Sequence, residues 1–247
     1  MENQRTKDNH AESVISSYLD EYYYKFFEGA FIFDRIKDPG QQKKGIDLLA
    51  INRINNTKVV IDEKSQVQYM SDGPLPTFSL ELSFYARDDH NQHTILLDGW
   101  FINTDLETTD YLFVWPKSRK EIKKEDLNKL EKRDIHSLEV MSINKKELQN
   151  FIEKETGKSV EDLRAFAREF RTKYDALIKE GKITDKRVVC NFNMEEKKPS
   201  DSIYLFYSLA LPEKPINIIV KKDILKKLAR NHYIVNNDGI WELKYTN

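Results

Sequence analysis

Two aspartates fifteen residues apart, with a lysine two positions after the second, place the tightest constraint on how this chain folds. Asp47 opens one apolar run, and Asp62 and Lys64 lie in a second run over residues 58–66. Both runs are rich in Val, Ile and Leu, which are typical of β-strands. The asparagine-rich link at residues 53–57 is typical of a turn. The sequence therefore predicts a β-hairpin with acidic residues on adjacent strands.

The second strand of this hairpin has an acid and an amine on one face. Successive side chains of a strand point to opposite faces, so Glu63 points away from Asp62 and Lys64. Together with Asp47, Asp62 suits Mg²⁺, which proteins usually hold with one or two carboxylates plus waters and phosphate oxygens. Lys64 would then orient the attacking water and offset phosphate charge. The alternative is an exposed Asp62–Lys64 ion pair worth about 0–1 kcal/mol. The predicted face comprises Val60, Asp62, Lys64, Gln66 and Gln68.

This pattern resembles the PD-(D/E)xK nuclease superfamily, which includes restriction endonucleases and Holliday-junction resolvases. Asp47 matches the acid of the first motif, and Asp62-Glu63-Lys64 matches the second. The resemblance covers roughly residues 9–120. It implies an α-β-β-β-α-β core, Mg²⁺ dependence and phosphodiester hydrolysis. The chain departs from the motif at Ile46, which stands where the family nominally has proline.

A helix is predicted before the hairpin, over residues 9–27. At about 100° per residue, Glu12 falls roughly 50° from the centre of its apolar stripe, whereas Asp20 and Glu21 fall roughly 130° away. Family members often add a glutamate from this helix, so the resemblance implies Glu12 as a further acid of the site. The alternative is that Glu12 only stabilises the helix N-terminus through the macrodipole. The apolar rows are Val14, Tyr18, Tyr22 and Phe26, and Ile15, Leu19, Tyr23 and Phe27.

Three more polar residues are candidates for the same site, namely Glu63, Gln66 and Glu81. Glu63 and Asp62 would exchange roles if the strand shifted by one residue, because such a shift moves every side chain to the other face. Glu81 lies in residues 77–85, which alternate with period two and would place it beside the site as a third strand. The alternative is that Glu81 lies on the polar face of a half-buried strand.

The whole pattern predicts an α+β (α/β) protein with one core and one extension. The core, residues 1–117, is expected to be restriction-endonuclease-like, with a central mixed sheet flanked by helices. Residues 31–44 are predicted to form a loop, and no helix is evident between the third and last core strands. Residues 118–247 predict a C-terminal α+β extension. Its predicted helices lie at about residues 125–133, 145–155, 159–179 and 223–230.

Composition limits the class of protein. The chain has 247 residues, of which 39% are hydrophobic and 33% charged, as a globular protein with a polar surface would have. A single cysteine, Cys190, excludes an internal disulfide framework. No apolar run approaches the ~18 residues of a membrane span, and the first residues lack the apolar core of a signal peptide. A cytoplasmic protein is therefore expected.

Nucleic-acid binding has to come from local patches, because the net charge is only −1. Rows of basic residues at helical spacing suit phosphate contacts, which neutralise charge and release counterions. The alternative for each row is an ordinary solvated helix face. The two candidate rows are Arg164, Arg168 and Arg171, and Lys222, Lys226 and Arg230.

Together these features predict a Mg²⁺-dependent DNA endonuclease of the restriction or phage-defence type, with RNA as an alternative substrate. Asp47 and Asp62 would hold the metal, and the metal and Lys64 would activate water for in-line attack on phosphorus. Cleavage of both strands of a duplex usually needs two active sites, which favours a homodimer. The rival hypothesis is a catalytically inactive protein that keeps the fold and binds nucleic acid or a protein partner.

Overall fold

The computed structural model describes residues 4–70, 75–87, 94–198 and 200–243. It contains twelve strands in the described ranges. They are β1 (Phe31–Arg35), β2 (Leu48–Asn52), β3 (Lys58–Ser65), β4 (Thr77–Arg87), β5 (Thr94–Asp98), β6 (Asp110–Ser118), β7 (Ile135–Asn144), β8 (Arg187–Cys190), β9 (Ile203–Ser208), β10 (Ile216–Lys221), β11 (Asn231–Asn236) and β12 (Gly239–Glu242).

The helices cluster at the start of the chain and in its second half. A long N-terminal helix begins as α1, continues through one π-helical segment and ends in a short α-helical turn, α2. Short 3₁₀ segments lie at Val67–Tyr69, Lys124–Lys129 and Lys132–Asp134. The helical bounds are α1 (Gln4–Tyr18), the π segment (Leu19–Tyr24), α2 (Lys25–Phe27), α3 (Pro39–Gln42), α4 (Lys145–Thr156), α5 (Val160–Lys179) and α6 (Lys222–Leu228).

The strands form two sheets, which confirms the prediction of a mixed α+β protein. The first has seven strands in the order β1-β2-β3-β6-β7-β11-β12, and all its pairs are antiparallel except β3 and β6. The second has five antiparallel strands in the order β5-β4-β10-β9-β8. Parallel neighbours need a long crossover connection. Between β3 and β6, that connection contributes β4 and β5 to the second sheet.

The chain divides into two compact units, each built around one sheet. The division is not the predicted single boundary near residue 117, because β7, β11 and β12 all join the sheet that contains the hairpin. Two segments of the second unit are instead inserted between segments of the first. Unit 1 comprises Met1–Pro76, Glu107–Lys146 and Leu225–Asn247, and unit 2 comprises Thr77–Leu106 and Glu147–Ile224.

The predicted hairpin is present as β2 and β3, which pair antiparallel through Leu48 and Ile61. The predicted loop at residues 31–44 is wrong in two places, because it contains β1 and α3. Phe31 to Arg35 pair along β2, so β1 rather than a later segment completes the three-stranded meander. The predicted third strand, residues 77–85, belongs instead to β4 in the other sheet.

Predicted helices were confirmed where a local signal marks their ends. Ser159 is the N-cap of α5, as the sequence predicts, and the structure shows that it forms a reciprocal capping box with Asp162. The helix predicted at residues 125–133 is wrong, because the segment forms two short 3₁₀ turns. Leu127 and Leu130 of this segment are nevertheless buried. Packing of these two side chains on the core therefore determines the backbone path of residues 125–133, which short 3₁₀ turns can follow.

The N-terminal helix packs on the seven-stranded sheet. Ile15 and Leu19 join a core cluster with Leu48 and Leu112, as the apolar stripe predicts. One of the two predicted rows fails at its end, since Phe26 remains 64% exposed, whereas Phe27 at the end of the other row is partly buried against the same cluster. The π segment explains this difference, because its i→i+5 hydrogen bonds rotate the following residues relative to an α-helix.

Candidate active site

Asp62 lies in the middle of β3 and forms a close ion pair with Lys64. Its Oδ1 lies 2.7 Å from Lys64 Nζ, and its side chain is only 3% exposed. The other carboxylate oxygen, Oδ2, is buried and has no hydrogen-bond partner among the described residues. An unsatisfied buried oxygen on a charged group is costly, so this atom favours an additional positive or hydrogen-bonding ligand.

Asp47 lies immediately before β2, next to the last paired residues of the hairpin. Its backbone N–H donates to the Ile61 carbonyl at 3.1 Å, and its Oδ2 accepts from the Glu63 N–H at 2.9 Å. Burial, followed by the negative charge of Asp62, raises the pKa of Asp47 to about 7, although Lys64 opposes the shift. The negative charge of Asp62 therefore disfavours the ionised form of Asp47, as expected for two carboxylates that share a cation site.

Lys64 stays positively charged in this environment. Burial disfavours its ammonium form, but Asp62, Asp47 and Glu12 outweigh that effect, and the pKa of Lys64 is raised overall. Its side chain is 26% exposed, so Lys64 is partly accessible to solvent. Lys64 is therefore suited to donate hydrogen bonds to water or phosphate rather than to accept a proton.

Glu12 belongs to the same electrostatic group. Its side chain is exposed on α1, yet the surrounding cleft removes enough water to raise its pKa, with Lys64 opposing and Asp8 and Asp62 adding to the shift. Since α1 begins at Gln4, Glu12 lies in the third turn. A macrodipole effect is confined to the first turn, so that alternative role is wrong.

A polar cleft of about 640 Å³ lies between α1 and the hairpin. Glu12 and Ser16 line it from the helix, Asp47 and Glu63 line it from the hairpin, and Lys37 lines it from the segment after β1. Groups on three elements of unit 1 therefore face this cleft, whereas Asp62 and Lys64, on the other face of β3, are not among its lining residues.

Glu63 has a structural role on the opposite side of β3. Arg35 donates to both of its carboxylate oxygens, at 3.0 and 2.8 Å, while Ser16 Oγ and Tyr24 Oη donate at 2.8 and 2.7 Å. With four donors, neither oxygen is available to a metal in this arrangement. The exchange of roles between Glu63 and Asp62 that a register shift would bring is therefore wrong.

The other two candidates are not brought to the site as predicted. Glu81 is on β4, in the five-stranded sheet of unit 2 rather than in the hairpin's sheet. Gln66 follows the end of β3, and its N–H donates to the Val114 carbonyl at 3.0 Å. Because the strand ends at Ser65, the predicted alternation does not extend to Gln66 or Gln68.

The structure adds Tyr111 and Lys145, which the sequence did not indicate. Tyr111 pairs with Asp62 across the parallel β3–β6 ladder and is fully buried. Burial and then the charge of Asp62 raise the pKa of Tyr111 well above its ordinary value. Burial lowers the pKa of Lys145, and Asp62 opposes that shift, so Lys145 also lies within the field of Asp62. Neither residue has a local sequence signal, because the β3–β6 pairing brings Tyr111 beside Asp62 and the β6–β7 pairing brings the start of α4, with Lys145, to the end of β6.

The first predicted basic row is wrong. Arg171 is only 2% exposed and donates to Ser83 Oγ at 3.0 Å and to Tyr207 Oη at 3.2 Å. Arg164 pairs with Asp98 at 2.6 Å. Only Arg168 keeps a largely exposed side chain, at 63%.

The second row is also interrupted. Lys222 is 8% exposed, and Lys226 is partly buried on α6. Arg230 lies beyond the end of α6 at Leu228 and pairs with Asp110 at 3.2 Å. The three residues do not form a continuous exposed row of cations.

Within the described residues, no group of three or more His, Cys, Asp or Glu side chains is arranged to hold a metal ion. Two carboxylates with water suffice for Mg²⁺, and Asp47 with the unpartnered Asp62 Oδ2 fits that smaller set. In the same ranges, no helix has both the length and the apolar character to cross a membrane. No protein-family model matches this chain, and no curated protein or solved structure matches it either.

Proposed function

We propose that this protein is a Mg²⁺-dependent endonuclease that hydrolyses DNA phosphodiester bonds, of the restriction or defence type. One observation above all supports the proposal. The buried Oδ2 of Asp62 has no partner among the described residues, while its Oδ1 is held by Lys64 at 2.7 Å. Asp47 lies next to this pair and repels Asp62. A divalent cation would relieve both the repulsion and the unsatisfied oxygen.

The order of elements gives independent support. The chain forms α1, then the meander β1-β2-β3, and later β6, which pairs parallel to β3. A nuclease core of the α-β-β-β-α-β type would have the same order for these elements. One departure is that the described part of the crossover from β3 to β6 has strands β4 and β5 and no α-helix.

Each residue of the proposed site would have a separate role. Asp47 and Asp62 would hold Mg²⁺, which supplies Lewis acidity and lowers the pKa of bound water. Lys64 would donate hydrogen bonds to the attacking water and a phosphate oxygen, because it remains an ammonium group. Arg35 fixes Glu63 on the far side of β3, and the Glu63 N–H fixes Asp47. These contacts would keep Asp47 in place beside Asp62 and Lys64 when a phosphate binds.

Incubation of the protein with supercoiled plasmid, linear DNA and RNA, each with Mg²⁺ or EDTA, tests the proposal. We expect Mg²⁺-dependent nicking or linearisation of the plasmid and no cleavage with EDTA. Cleavage of RNA alone would change the substrate class and keep the chemistry. The absence of cleavage of every substrate, over a range of divalent metals, would contradict the proposal.

A catalytically inactive binding protein is the second candidate. The observation that favours it is that Lys64 already occupies one oxygen of Asp62. Calorimetric titration of Mg²⁺ separates the two candidates. An active site should bind Mg²⁺ with heat that disappears in Asp62→Asn, whereas an inactive protein should show no carboxylate-dependent heat.

A further inference from the structure

A basic surface lies outside the candidate active site, at residues 117–133. This segment has eight basic and four acidic residues, a charge of +4 in a chain whose net charge is −1. All eight basic residues are solvent-exposed. We call this region the 117–133 surface. Such segregation of charge creates the local positive potential that a nearly neutral chain otherwise lacks.

Ion pairs neutralise only part of this charge. Lys120 pairs with Asp134 and Lys129 pairs with Asp126, each at 2.7 Å. Arg133 pairs with a glutamate inside the segment. In the part of the chain that the structure describes, three of the exposed lysines form no ion pair with a carboxylate, namely Lys117, Lys123 and Lys124.

The backbone beneath these lysines is held in place. Leu127 and Leu130 are 1% and 2% exposed and belong to the core of unit 1. Lys7 on α1 donates to the Glu125 carbonyl at 2.7 Å, and Lys124 Nζ lies 5.1 Å from the centre of the Tyr69 ring. The lysines are therefore presented from an ordered segment, which reduces the entropy lost on binding.

The surface lies at the same end of the sheet as the candidate active site. Lys64 pairs with Phe113 in the parallel β3–β6 ladder, and Lys117 is four residues further along β6. At about 3.3 Å per strand residue, Lys117 lies roughly 13 Å beyond Lys64 along the sheet. A nucleic-acid strand rises about 3.4 Å per nucleotide. The separation thus corresponds to about four nucleotides.

We propose that the 117–133 surface binds the phosphate backbone of the nucleic acid whose scissile phosphate would be held at Asp47, Asp62 and Lys64. This inference rests on the proposed nuclease function. Lys117, Lys123 and Lys124 provide the charges, since they have no carboxylate to release before they contact phosphate. Such contacts position a strand without reading its bases, so the surface should contribute equally to all sequences.

The test replaces Lys117, Lys123 and Lys124 with Ala together. Binding of a short fluorescein-labelled DNA duplex is measured by anisotropy over a salt series, with Ca²⁺ in place of Mg²⁺ to prevent cleavage. Each lost phosphate contact should flatten the slope of log K against log salt by about 0.9. We expect the triple variant to lose about 2–3 units of slope at an unchanged melting temperature.

Two further variants make the result specific. Replacement of Lys179, Lys182 and Lys186, which are exposed lysines of unit 2, removes the same charge and should leave the slope unchanged. Replacement of Lys117, Lys123 and Lys124 with Arg keeps the charge and should also preserve the slope. Equal losses in the two alanine variants would show a general charge effect and would overturn the inference.

The outcome separates this inference from the nuclease proposal. If wild-type protein cleaves DNA but the triple alanine variant keeps the full slope, the 117–133 surface is not a binding surface and the nuclease proposal stands. If the slope falls in the variant while wild-type protein cleaves nothing with any divalent metal, the binding surface is supported and the nuclease proposal fails.

Discussion

At the scale of single residues, alternate positions of β3 have different tasks. Asp62 and Lys64 pair on one side of the strand, and Glu63 is bound by donors from α1, the π segment and β1 on the other. The sequence predicts this division, because strand alternation is a local property. It does not predict Arg35 as the partner of Glu63, since that contact depends on a strand that was predicted as a loop.

The Arg35–Glu63 pair should contribute strongly to stability. Glu63 is 7% exposed and Arg35 is 20% exposed, so Arg35→Met would leave a buried carboxylate without its cation. We expect a loss of about 3 kcal/mol in the free energy of unfolding, measured by urea denaturation. Lys44→Met is the control, because Lys44 and its partner Glu107 are each 54% exposed. That change should cost less than about 1 kcal/mol. Equal losses in the two variants would show that the Arg35–Glu63 pair contributes no more to stability than an exposed ion pair.

Asp47 should make stability depend on pH. Its pKa is raised to about 7 in the folded protein, from an ordinary 3.8, so between these values the folded state binds more protons than the unfolded state. Stability therefore falls as pH rises through this window. Without divalent metal, we expect the melting temperature to drop between about pH 4 and pH 7. The drop should be smaller in Asp47→Asn, and an identical profile in that variant would show that Asp47 titrates normally.

Arg171 was predicted to touch phosphate, but it is a buried residue of unit 2. Its guanidinium lies 4.4 Å from the centre of the Tyr85 ring and donates to Ser83 Oγ. Arg171→Ala should therefore lower the free energy of unfolding by about 3 kcal/mol, because it leaves buried partners unpaired. Arg168→Ala, on the exposed side of the same helix, should change it by less than about 0.5 kcal/mol. Thermal unfolding of both variants gives the comparison, and a larger effect of Arg168 would contradict it.

At the scale of elements, the N-terminal helix determines which acids can reach the site. Glu12 lies in the field of Lys64 and Asp62, whereas Glu21 is exposed and bound to Lys132. The helical period alone predicts this difference, since Glu12 precedes the π segment and Glu21 lies in its first half. The exposure of Phe26 after that segment was not predictable from the period, because a π turn changes it.

Glu12→Gln should reduce cleavage more than Glu21→Gln does. The first change removes a charge from the group around Lys64, while the second removes only an exposed ion pair with Lys132. The measurement is the rate of plasmid nicking at saturating Mg²⁺. If Glu21→Gln proved more damaging, Glu12 would not belong to the site. Equal and negligible effects would leave Glu12 as a surface charge near the cleft.

At the scale of the whole molecule, local sequence signals predict individual helices and a hairpin. The pairing of strands that are distant in sequence determines how these elements are arranged. The hairpin, α4 and α5 follow from periodicity, turns and caps. The two interleaved units do not, because the chain returns to the first sheet with β6, β7 and finally β11. For the same reason, the sequence predicts Asp47, Asp62 and Lys64 as neighbours but gives no signal for Tyr111 or Lys145.

The assignment of Asp62 and Lys64 to an active site is tested most directly by Mg²⁺-dependent nicking of supercoiled plasmid by wild-type protein, Asp62→Asn and Lys64→Ala. We expect wild-type protein to nick the plasmid and each variant to be slower by about 10²–10³, the usual effect of removing one transition-state-stabilising group. Thermal unfolding should show that both variants remain folded. Nicking at the wild-type rate by both folded variants would contradict the assignment of Asp62 and Lys64 as the active site.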